Sequence, residues 1–401
     1  MQTQGPLAGV KVFDLSRILA GPYATQMMAD LGADVVKIEP PSGDDTRRFG
    51  PPFIEGESTY FLSVNRGKRS IILDLKKPEA GAIVERLAQW ADVVVENFRP
   101  GVADKLGVGY ETLKKIKPNL VYVSISGYGQ KGVEPYTKLP GYDLVIQGIG
   151  GIAALTGPED GAPYKVGTSI ADLTAGLNAF GGALAALYAR ERTGKGEHVD
   201  ISMLDGQLSL LSYHASAILN ANTAPERLGN AHPSICPYET FAAADGYINI
   251  ACGNDGQFEK FCGVIGAEEL VRDERFATNA VRVENRSALL EILAPILKAR
   301  PLEEWIEKIK GAGVPCGPIL PATESLSHPQ VAARGTVITD EHPVAGTVKN
   351  VGAPMGFGLK SYADSPAPLC GEHTEIVLRD VCDFSDDEIE GFKKAGAVSV
   401  L

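Results

Sequence analysis

Hydrophobic and polar positions follow two alternating patterns along the first 200 residues. Short runs rich in Val and Ile predict strands, as in GVKVFDLS and DVVKIEP, and a longer segment with helical spacing, AGPYATQMMADLGA, lies between them. The order recurs in SIILDL, AGAIVERLAQWA, DVVVENF, a Lys-rich helix and LVYVSISGYG. Strands that alternate with helices predict an α/β fold, with a parallel sheet covered by helices on both faces.

A parallel sheet of this kind binds ligands at the carboxyl ends of its strands, where the chain turns into the next helix. In this sequence those turns are 16–22, 39–45, 96–101 and 126–132. We therefore expect binding residues in these four turns.

The pattern changes after about residue 221. A loop-rich stretch is followed by alternation around Asp245-Gly246 that is typical of a hairpin, and helices then continue to about Gly311. We place a smaller α+β domain at 225–325, after a large domain at 1–224. The remaining segment, 326–401, predicts short strands and a final helix over SDDEIEGFKKAG.

Composition and charge narrow the function classes. The 44% hydrophobic and 22% charged fractions are those of an ordinary globular chain, and 401 residues suffice for two domains. The formal charge of −12 disfavours a nucleic-acid or membrane-surface partner, because such binders present a basic face. No apolar run reaches the roughly 18 residues of a membrane span.

The six cysteines show no C-x-x-C spacing, and no cationic start leads into an apolar signal segment. We therefore expect a reduced, cytoplasmic protein without a metal site. The sequence contains neither a G-x-x-x-x-G-K-[ST] loop nor a G-x-S-x-G elbow, so we expect no ATP and no serine nucleophile of that type.

Asp172 is the most unusual polar residue, because it lies between a Gly/Ser/Thr turn and a helix of small residues. One interpretation is an N-cap or first-turn carboxylate that free amides and the helix dipole stabilise. The alternative is a carboxylate kept ionised by the same amides and used as a nucleophile. The sequence around it leaves both open.

Two further motifs are weak on their own. The loop ACGNDGQFEKF lacks the G-x-G-x-x-G fingerprint of a dinucleotide site and is more typical of an ordinary turn. VENFRPG and PYTKLPGYD place Asn97, Arg99, Lys138 and Asp143 after strands. Basic groups at strand ends are what a phosphate-bearing ligand would need in an acidic chain.

Taken together, several motifs resemble the class III CoA-transferase family in order along nearly the whole chain. They are DLSRILAGPYATQMMADLGADVVKIEPP, NRGKRSIILDLK, ADVVVENFRPGV, GYDLVIQGIGGIAALTG, VGTSIADLTAGLNAFGGALAALYARERTGKGEHVDISMLDG and AGVPCGPI. The resemblance implies a Rossmann-like large domain, a small domain and an interlocked homodimer. It also implies that segment 326–401 returns to the large domain.

By this resemblance Asp172 is the catalytic nucleophile, which attacks an acyl-CoA to give an acyl-aspartyl anhydride and then an aspartyl-CoA thioester. Gly253, Gly256 and Gln257 match a glycine-rich lid that keeps water out. CoA is then a substrate, and the resemblance implies a common set of contacts for it: Arg17, Ile18, Ala20, Leu73, Lys76, Asn97, Phe98, Lys105 and Lys138.

The chain departs from the family pattern at two places. Pro40-Pro41 stand where some members carry Arg, so the nucleotide phosphate needs another cation, with Arg47, Arg69 and Arg99 as candidates. Leu19 replaces the Gln of oxalate-type members, which disfavours formyl or oxalate exchange.

The stretch from ERLGNAHPSICPYETF onward resembles the branch that uses succinyl-CoA and dicarboxylic acids such as itaconate, mesaconate, citramalate or glutarate. Arg47, Arg227 and His232 are candidates for the second carboxylate of the acid, and Tyr142 is a further candidate on the substrate side.

Two other functions remain open. A 2-methylacyl-CoA racemase of the same fold would need a His where this chain has Tyr142 in GYD. A CoA-binding protein without chemistry is the second alternative. A dehydrogenase is disfavoured, because the glycine fingerprint is missing after the first strand.

Overall fold

The computed structural model describes residues 5–357 and 365–399. Residues 1–4, 358–364 and 400–401, which belong to the first and last predicted segments, lie outside the described residues. The described chain forms two compact units. The larger unit holds residues 5–152, Lys165–Thr223, 332–357 and 365–399, and the smaller unit holds Ala153–Tyr164 and Ala224–Val331.

The strands of both units are numbered in chain order. They are β1 (Lys11–Asp14), β2 (Asp34–Glu39), β3 (Phe53–Ile54), β4 (Glu57–Ser58), β5 (Lys68–Leu73), β6 (Val93–Glu96), β7 (Val121–Ser126), β8 (Glu197–Ser202), β9 (Tyr238–Ala242), β10 (Tyr247–Ala251), β11 (Cys316–Pro318), β12 (Val337–His342), β13 (Gly346–Val351) and β14 (Val398–Ser399).

The α-helices are numbered in the same way, and short 3₁₀ turns lie at Asp45–Arg48, Tyr136–Lys138 and Glu268–Val271. The α-helices are α1 (Ala20–Asp30), α2 (Thr59–Val64), α3 (Ala80–Trp90), α4 (Val102–Lys105), α5 (Tyr110–Ile116), α6 (Asp143–Ile149), α7 (Ile152–Leu155), α8 (Ile170–Thr193), α9 (Met203–Leu210), α10 (Tyr213–Ala221), α11 (Asp255–Ile265), α12 (Asn279–Glu284), α13 (Arg286–Lys298), α14 (Leu302–Gly311), α15 (Ala322–Leu326), α16 (Pro329–Ala333), α17 (Thr374–Asp380) and α18 (Asp386–Lys394).

A seven-stranded sheet in the order β14-β5-β2-β1-β6-β7-β8 organises the larger unit. All neighbours are parallel except β14, which pairs antiparallel with β5. The predicted mixed α/β fold with a mostly parallel sheet is therefore confirmed. The strand order reverses between β1 and β6, and in doubly wound sheets the crevice outside the carboxyl ends at this switch point is where ligands bind.

The strands are apolar on both faces because helices cover both faces. In β6, Val93 and Val95 pack into one core with α1 and α8, whereas Val94 packs into the other core with α3, α5 and α17. Parallel sheets buried on both sides need continuous apolar runs of this kind, which is why the strands show no clear alternation in the sequence.

Helix α8 runs for 24 residues and ends before Gly194, whose positive φ of 70° closes the helix. Within the described residues it is a helix long and apolar enough to span a membrane by length and composition. Its Ala171, Ala175 and Ala179 are fully buried against the sheet. A buried core helix has the same apolar composition, so the pattern alone is weak evidence for a span.

The smaller unit contains the antiparallel sheet β11-β10-β9 and the helices α11 to α14. The predicted hairpin is confirmed, because Tyr247 pairs with Ala242 across the turn that contains Asp245 and Gly246. The core of this unit surrounds Phe258, Phe261 and Trp305.

The C-terminal residues of the larger unit form the hairpin β12-β13 and two helices. The predicted final helix is confirmed as α18, whose capping box joins Ser385 and Glu388. Strand β14 adds to the edge of the main sheet beside β5.

Candidate active site

Asp172 is the third residue of α8 rather than its cap. Ser169 precedes the helix, and its side chain makes no capping hydrogen bond. Among the described residues the Asp172 carboxylate has no hydrogen-bond partner. Burial, together with the negative charge of Asp143, raises the pKa of Asp172 to about 7. A pKa of about 7 differs from the expectation that free amides keep this carboxylate ionised, because burial disfavours its charged form.

Asp143 and Gln147, one helical turn apart on α6, hold the chain segment before Asp172. Asp143 Oδ1 accepts the backbone N–H of Ala171 at 2.9 Å, and its Oδ2 accepts Gln147 Nε2 at 2.8 Å. Gln147 Oε1 accepts the N–H of Val166 at 2.8 Å. From the sequence Asp143 was only a weak ligand candidate, and Gln147 was not identified. Their i, i+4 spacing could have indicated that the two side chains interact on one helix face.

Tyr60 is a further residue that the sequence did not indicate. It lies on α2, whose N-cap Ser58 accepts the Tyr60 backbone N–H. Burial and the carboxylates of Asp172, Asp143 and Asp44 raise the pKa of Tyr60 to about 12. The phenol therefore stays protonated in the electrostatic environment of Asp172, where it is available as a hydrogen-bond donor.

A cavity of about 350 Å³ opens at the carboxyl ends of β1, β2, β5 and β6, at the switch point of the sheet. Four residues assigned to CoA by resemblance line it: Arg17, Leu73, Lys76 and Phe98. The remaining lining residues are Leu15, Ile38, Pro40, Ser42, Asp44, Asp74, Leu75, Val102 and Leu106. Three of the four predicted turns contribute to this cavity, and the turn at 126–132 does not.

The other residues assigned to CoA have different positions. The side-chain amide of Asn97 hydrogen-bonds to the turn after β1. Its Oδ1 accepts the Arg17 N–H at 2.9 Å, and its Nδ2 donates to the Arg17 O at 2.7 Å. Ala20 is buried as the first residue of α1. Lys105 and Lys138 do not line the cavity, and Lys138 pairs with Glu134 at 2.6 Å on the surface.

The candidate cations for the nucleotide phosphate differ in whether they already pair with a carboxylate. Arg47 forms a bidentate pair with Glu39, with both N–H···O distances 2.7 Å. Arg69 forms one with Asp34, with Nε 3.0 Å from Oδ1 and Nη2 2.6 Å from Oδ2. Arg99 lines a different, polar cavity of about 150 Å³. Arg17 and Lys76 are the cations that line the larger cavity.

Residues of the predicted lid loop, in the smaller unit, hydrogen-bond to one another. Asn254 caps α11 through the N–H of Gln257 at 2.9 Å, and Gln257 Oε1 accepts the N–H of Gly253 at 2.8 Å. Gly256 is the second residue of α11. The Gly253 amide is therefore occupied by Gln257 and must be released before it can stabilise an oxyanion.

The candidates for the second carboxylate are likewise engaged. Arg227 donates to the backbone carbonyls of Ala154, Pro158 and Gly161, with no carboxylate partner among the described residues. The His232 ring accepts the N–H of Ser234 at 3.1 Å within its own loop. Tyr142 precedes α6 with 61% of its surface exposed.

A comparison with known protein families identifies the family of this chain. A model described as CoA-transferase family III matches residues 7–374. The chain belongs to CoA-transferase family III. It is accordingly an enzyme of the transferase class that uses a CoA thioester as a substrate.

Individual relatives support the same assignment. The chain is 41% identical to a succinyl-CoA:glutarate CoA-transferase of Homo sapiens, over 98% of this chain and 90% of that one. It is 47% identical to an acetyl-CoA:oxalate CoA-transferase of Acetobacter aceti, over 84% of this chain and 86% of that one. A crystal structure of a CAIB/BAIF family protein from Brucella suis superposes with a TM-score of 0.83 at 45% identity, covering 94% of this chain and 100% of that one.

Proposed function

We propose that this CoA-transferase moves CoA from succinyl-CoA to a dicarboxylic acid such as itaconate, mesaconate, citramalate or glutarate. The observation that carries the proposal is Asp172, a partly buried carboxylate without a hydrogen-bond partner among the described residues and with its pKa raised to about 7. A desolvated carboxylate is a stronger nucleophile than a hydrated one. Similarity to a succinyl-CoA:glutarate CoA-transferase supports the choice of substrates.

The proposed reaction runs through two covalent intermediates on Asp172. A carboxylate oxygen attacks the thioester carbonyl carbon, the C–S bond breaks, and CoA leaves as thiolate from an acyl-aspartyl anhydride. The thiolate then attacks the aspartyl carbonyl carbon, which releases the first acid and leaves an aspartyl-CoA thioester. The incoming carboxylate repeats these steps in reverse and leaves as its CoA ester.

One thioester bond replaces another in this sequence, so the reaction needs no separate source of activation energy. Its hazard is water, because an anhydride hydrolyses readily. In our proposal the loop at Gly253, Gly256 and Gln257 excludes water. Release of the Gly253 N–H from Gln257 would then supply an oxyanion donor.

The second carboxylate of the acceptor needs a cation or several donors. Arg47 would have to leave Glu39 to serve, whereas Arg227 contacts only carbonyl groups and keeps its charge unbalanced by a carboxylate among the described residues. Arg227 is therefore our first candidate for the acceptor, and His232 is the second.

Oxalate is a second candidate acceptor, because a relative with 47% identity carries the name acetyl-CoA:oxalate CoA-transferase. The presence of Leu19, in place of the Gln of oxalate-type members, argues against oxalate. Oxalate therefore belongs in the substrate panel beside the C4 to C6 acids.

Mass spectrometry tests the proposal directly. The purified enzyme is mixed with succinyl-CoA and a pooled panel of mono- and dicarboxylic acids, and every new CoA thioester is identified. We expect a dicarboxylyl-CoA product from the parent enzyme and none from Asp172→Ala. An Asp172→Ala variant that forms the product at the parent rate would exclude the aspartyl mechanism.

The racemase alternative requires a proton-transferring His at position 142, where this chain has an exposed Tyr. Deuterium uptake at the α-carbon of a 2-methylacyl-CoA in D₂O would favour racemisation. Binding of acyl-CoA without any exchange or deuterium uptake would favour a protein that binds CoA without chemistry.

We also propose that the enzyme is an interlocked homodimer that works in the cytoplasm, where its six free thiols would remain reduced. Support for the dimer comes from exposed apolar side chains on α6, α8, α9 and α10, a pattern that marks an interaction surface. They are Leu144, Val145, Ile149, Leu177, Tyr188, Leu208, Leu210, Tyr213, Ile218 and Leu219.

Light scattering tests the dimer. Leu219, which is 80% exposed, is replaced by Lys, and Ile376→Lys on α17 is the control, because Ile376 is 48% exposed but lies outside this set. We expect a dimer for the parent and the control and a weaker dimer for Leu219→Lys. A monomeric parent enzyme would exclude the homodimer.

A further inference from the structure

The turn between β1 and α1 contains a strained residue. Ile18 has a φ of +69°, in the left-handed region that β-branched residues rarely adopt. Such conformations persist only where the surrounding structure fixes them, and they cluster at functional sites. The turn carries Arg17, which lines the cavity that we assign to CoA.

Side chains from four other places in the fold hold the backbone of this turn. Asp14 accepts the N–H of Ser16 at 2.9 Å, and Lys37 Nζ donates to the O of Ser16 at 2.8 Å. Asn97 bonds both backbone groups of Arg17, and Asp44 Oδ1 lies 3.4 Å from the N–H of Ile18. The conformation of Ile18 is therefore imposed from outside the turn.

Two of these side chains form a buried ion pair, with Lys37 Nζ 2.8 Å from Asp44 Oδ2. Lys37 is fully buried and Asp44 is 1% exposed. Asp14, which also holds the turn, forms a second buried pair with Lys68 at 3.2 Å. Buried ion pairs add little stability compared with apolar residues of the same volume, so stability alone does not explain them here.

Asp44 itself lines the cavity, and its carboxylate also accepts the N–H and Oγ1–H of Thr46 at 2.9 and 2.7 Å. The same carboxylate thus ties together the two turns, after β1 and after β2, that form one wall of the cavity. A shift of the Lys37–Asp44 pair would change the shape of both.

We propose that the Lys37–Asp44 ion pair positions the acyl-CoA site, by holding the turn at Ser16–Leu19 with Ile18 in its strained conformation. The inference rests on the proposed function, because it takes the cavity to be the CoA site. Lys37 and Asp44 are positioning residues in this account and take no part in bond making.

A double variant, Lys37→Met/Asp44→Asn, tests the proposal. It removes both charges together, so no unpaired buried charge remains and the net charge of −12 is unchanged. The Asn side chain retains an acceptor for Thr46. We expect the dissociation constant of CoA, measured by calorimetry, to rise about tenfold, and the KM for succinyl-CoA to rise with it by far more than kcat falls.

A second experiment relieves the backbone strain at Ile18 and so separates positioning of the turn from a general effect on stability. Glycine adopts a φ of +69° without steric cost, so Ile18→Gly should make the ion pair less necessary. In an Ile18→Gly background we expect the same double change to weaken CoA binding by less than about threefold. An equal, tenfold effect in both backgrounds would overturn the proposal.

The control is Arg66→Met/Asp30→Asn, which neutralises an equally buried pair, 2.5 Å apart, that does not line the cavity. We expect its CoA affinity to match that of the parent. If neutralisation of this pair weakened CoA binding as much as the Lys37→Met/Asp44→Asn change, the effect would be a general loss of structure and the proposal would be wrong.

Single variants keep the proposal testable if the double variant does not fold. Ile18→Ala keeps the strained backbone without the Ile side chain, whereas Ile18→Gly also removes the strain. We expect a single Asp44→Asn change to weaken CoA binding several-fold less in the Ile18→Gly background than in the Ile18→Ala background, and equal weakening in both would overturn the proposal. A parent enzyme that binds no CoA would overturn both this inference and the proposed function. A parent enzyme that exchanges CoA without the predicted coupling would overturn this inference alone.

Discussion

At the scale of single residues, the site depends on the environment of one carboxylate. Asp172 is partly buried and lies near the negatively charged Asp143. Burial and this like charge both raise the pKa of Asp172 to about 7. Asp143 in turn accepts the N–H of Ala171, so the residue that raises the pKa of Asp172 also fixes the backbone next to it. A carboxylate with this pKa is half ionised near pH 7 and mostly protonated in mild acid.

The pH dependence of the reaction follows from this environment. In the proposed mechanism only the ionised Asp172 attacks the thioester, so kcat/KM for acyl-CoA should fall about tenfold per unit below pH 7. Asp143→Asn removes the like charge and should lower the pKa of Asp172, which moves this limb toward lower pH. Initial rates between pH 5 and pH 9 measure the shift.

Asp205→Asn is the matched control for this experiment, because Asp205 is the third residue of α9 as Asp172 is of α8, and it is exposed. Its profile should coincide with that of the parent. A limb that stays in place after Asp143→Asn would show that the charge of Asp143 does not govern Asp172.

At the scale of elements, α8 serves both the site and the core. Its first turn carries Asp172, and its next turns pack closely on α1 through small residues. At Gly176 a Cβ atom would lie 2.7 Å from the backbone O of Ala20, too close for any side chain. The small residues of α8 therefore reflect helix packing at short distance as well as the neighbourhood of the site.

This packing predicts the effect of a single methyl group. Gly176→Ala should lower the free energy of unfolding by about 1–3 kcal/mol, because the backbone of α1 must move. In contrast, Gly391→Ala should raise it by up to about 1 kcal/mol, since Gly391 is exposed inside α18 with no atom within 4 Å of its Cβ position. Urea unfolding of both variants measures the difference, and equal effects would contradict the close packing of α1 and α8.

At the scale of the whole molecule, buried charges make stability depend on pH in two directions. Burial alone would raise the pKa of Asp14 and Glu39, but the neighbouring cations outweigh burial and lower both pKa values. These groups therefore stabilise the fold above their unfolded pKa values and lose that effect in acid. Asp172 acts oppositely, because its folded pKa lies above its unfolded one. The folded enzyme then holds the proton more tightly, and the contribution of Asp172 to stability declines as the pH rises from its unfolded pKa to about 7 and levels off above that.

Replacement of Asp172 by a neutral residue should therefore stabilise the enzyme at high pH. We expect Asp172→Asn to gain on the order of 2 kcal/mol relative to the parent between pH 5 and pH 8, because the Asn is never charged. Denaturant unfolding at the two pH values measures this gain, with Asp205→Asn as the control. A gain that is the same at both pH values would show that ionisation of Asp172 is not its source.

The sequence by itself determined the order of strands and helices and the family. Val-rich and Ile-rich runs predict buried parallel strands because only helices on both faces can cover them, and the hairpin at Asp245-Gly246 and helix α18 carry local turn and cap signals. The position of Asp172 in a first turn also follows from local sequence.

Only the tertiary structure decided the chemistry of that carboxylate and the use of the cations. Burial and the charge of Asp143 come from a different helix, so local rules favoured an ionised cap where the fold gives a raised pKa. The sequence made Arg47 and Arg69 candidates for phosphate binding, whereas in the fold they form ion pairs with Glu39 and Asp34. Desolvation and charge pairing depend on neighbours that are distant in the chain, and the order of residues does not record those distances.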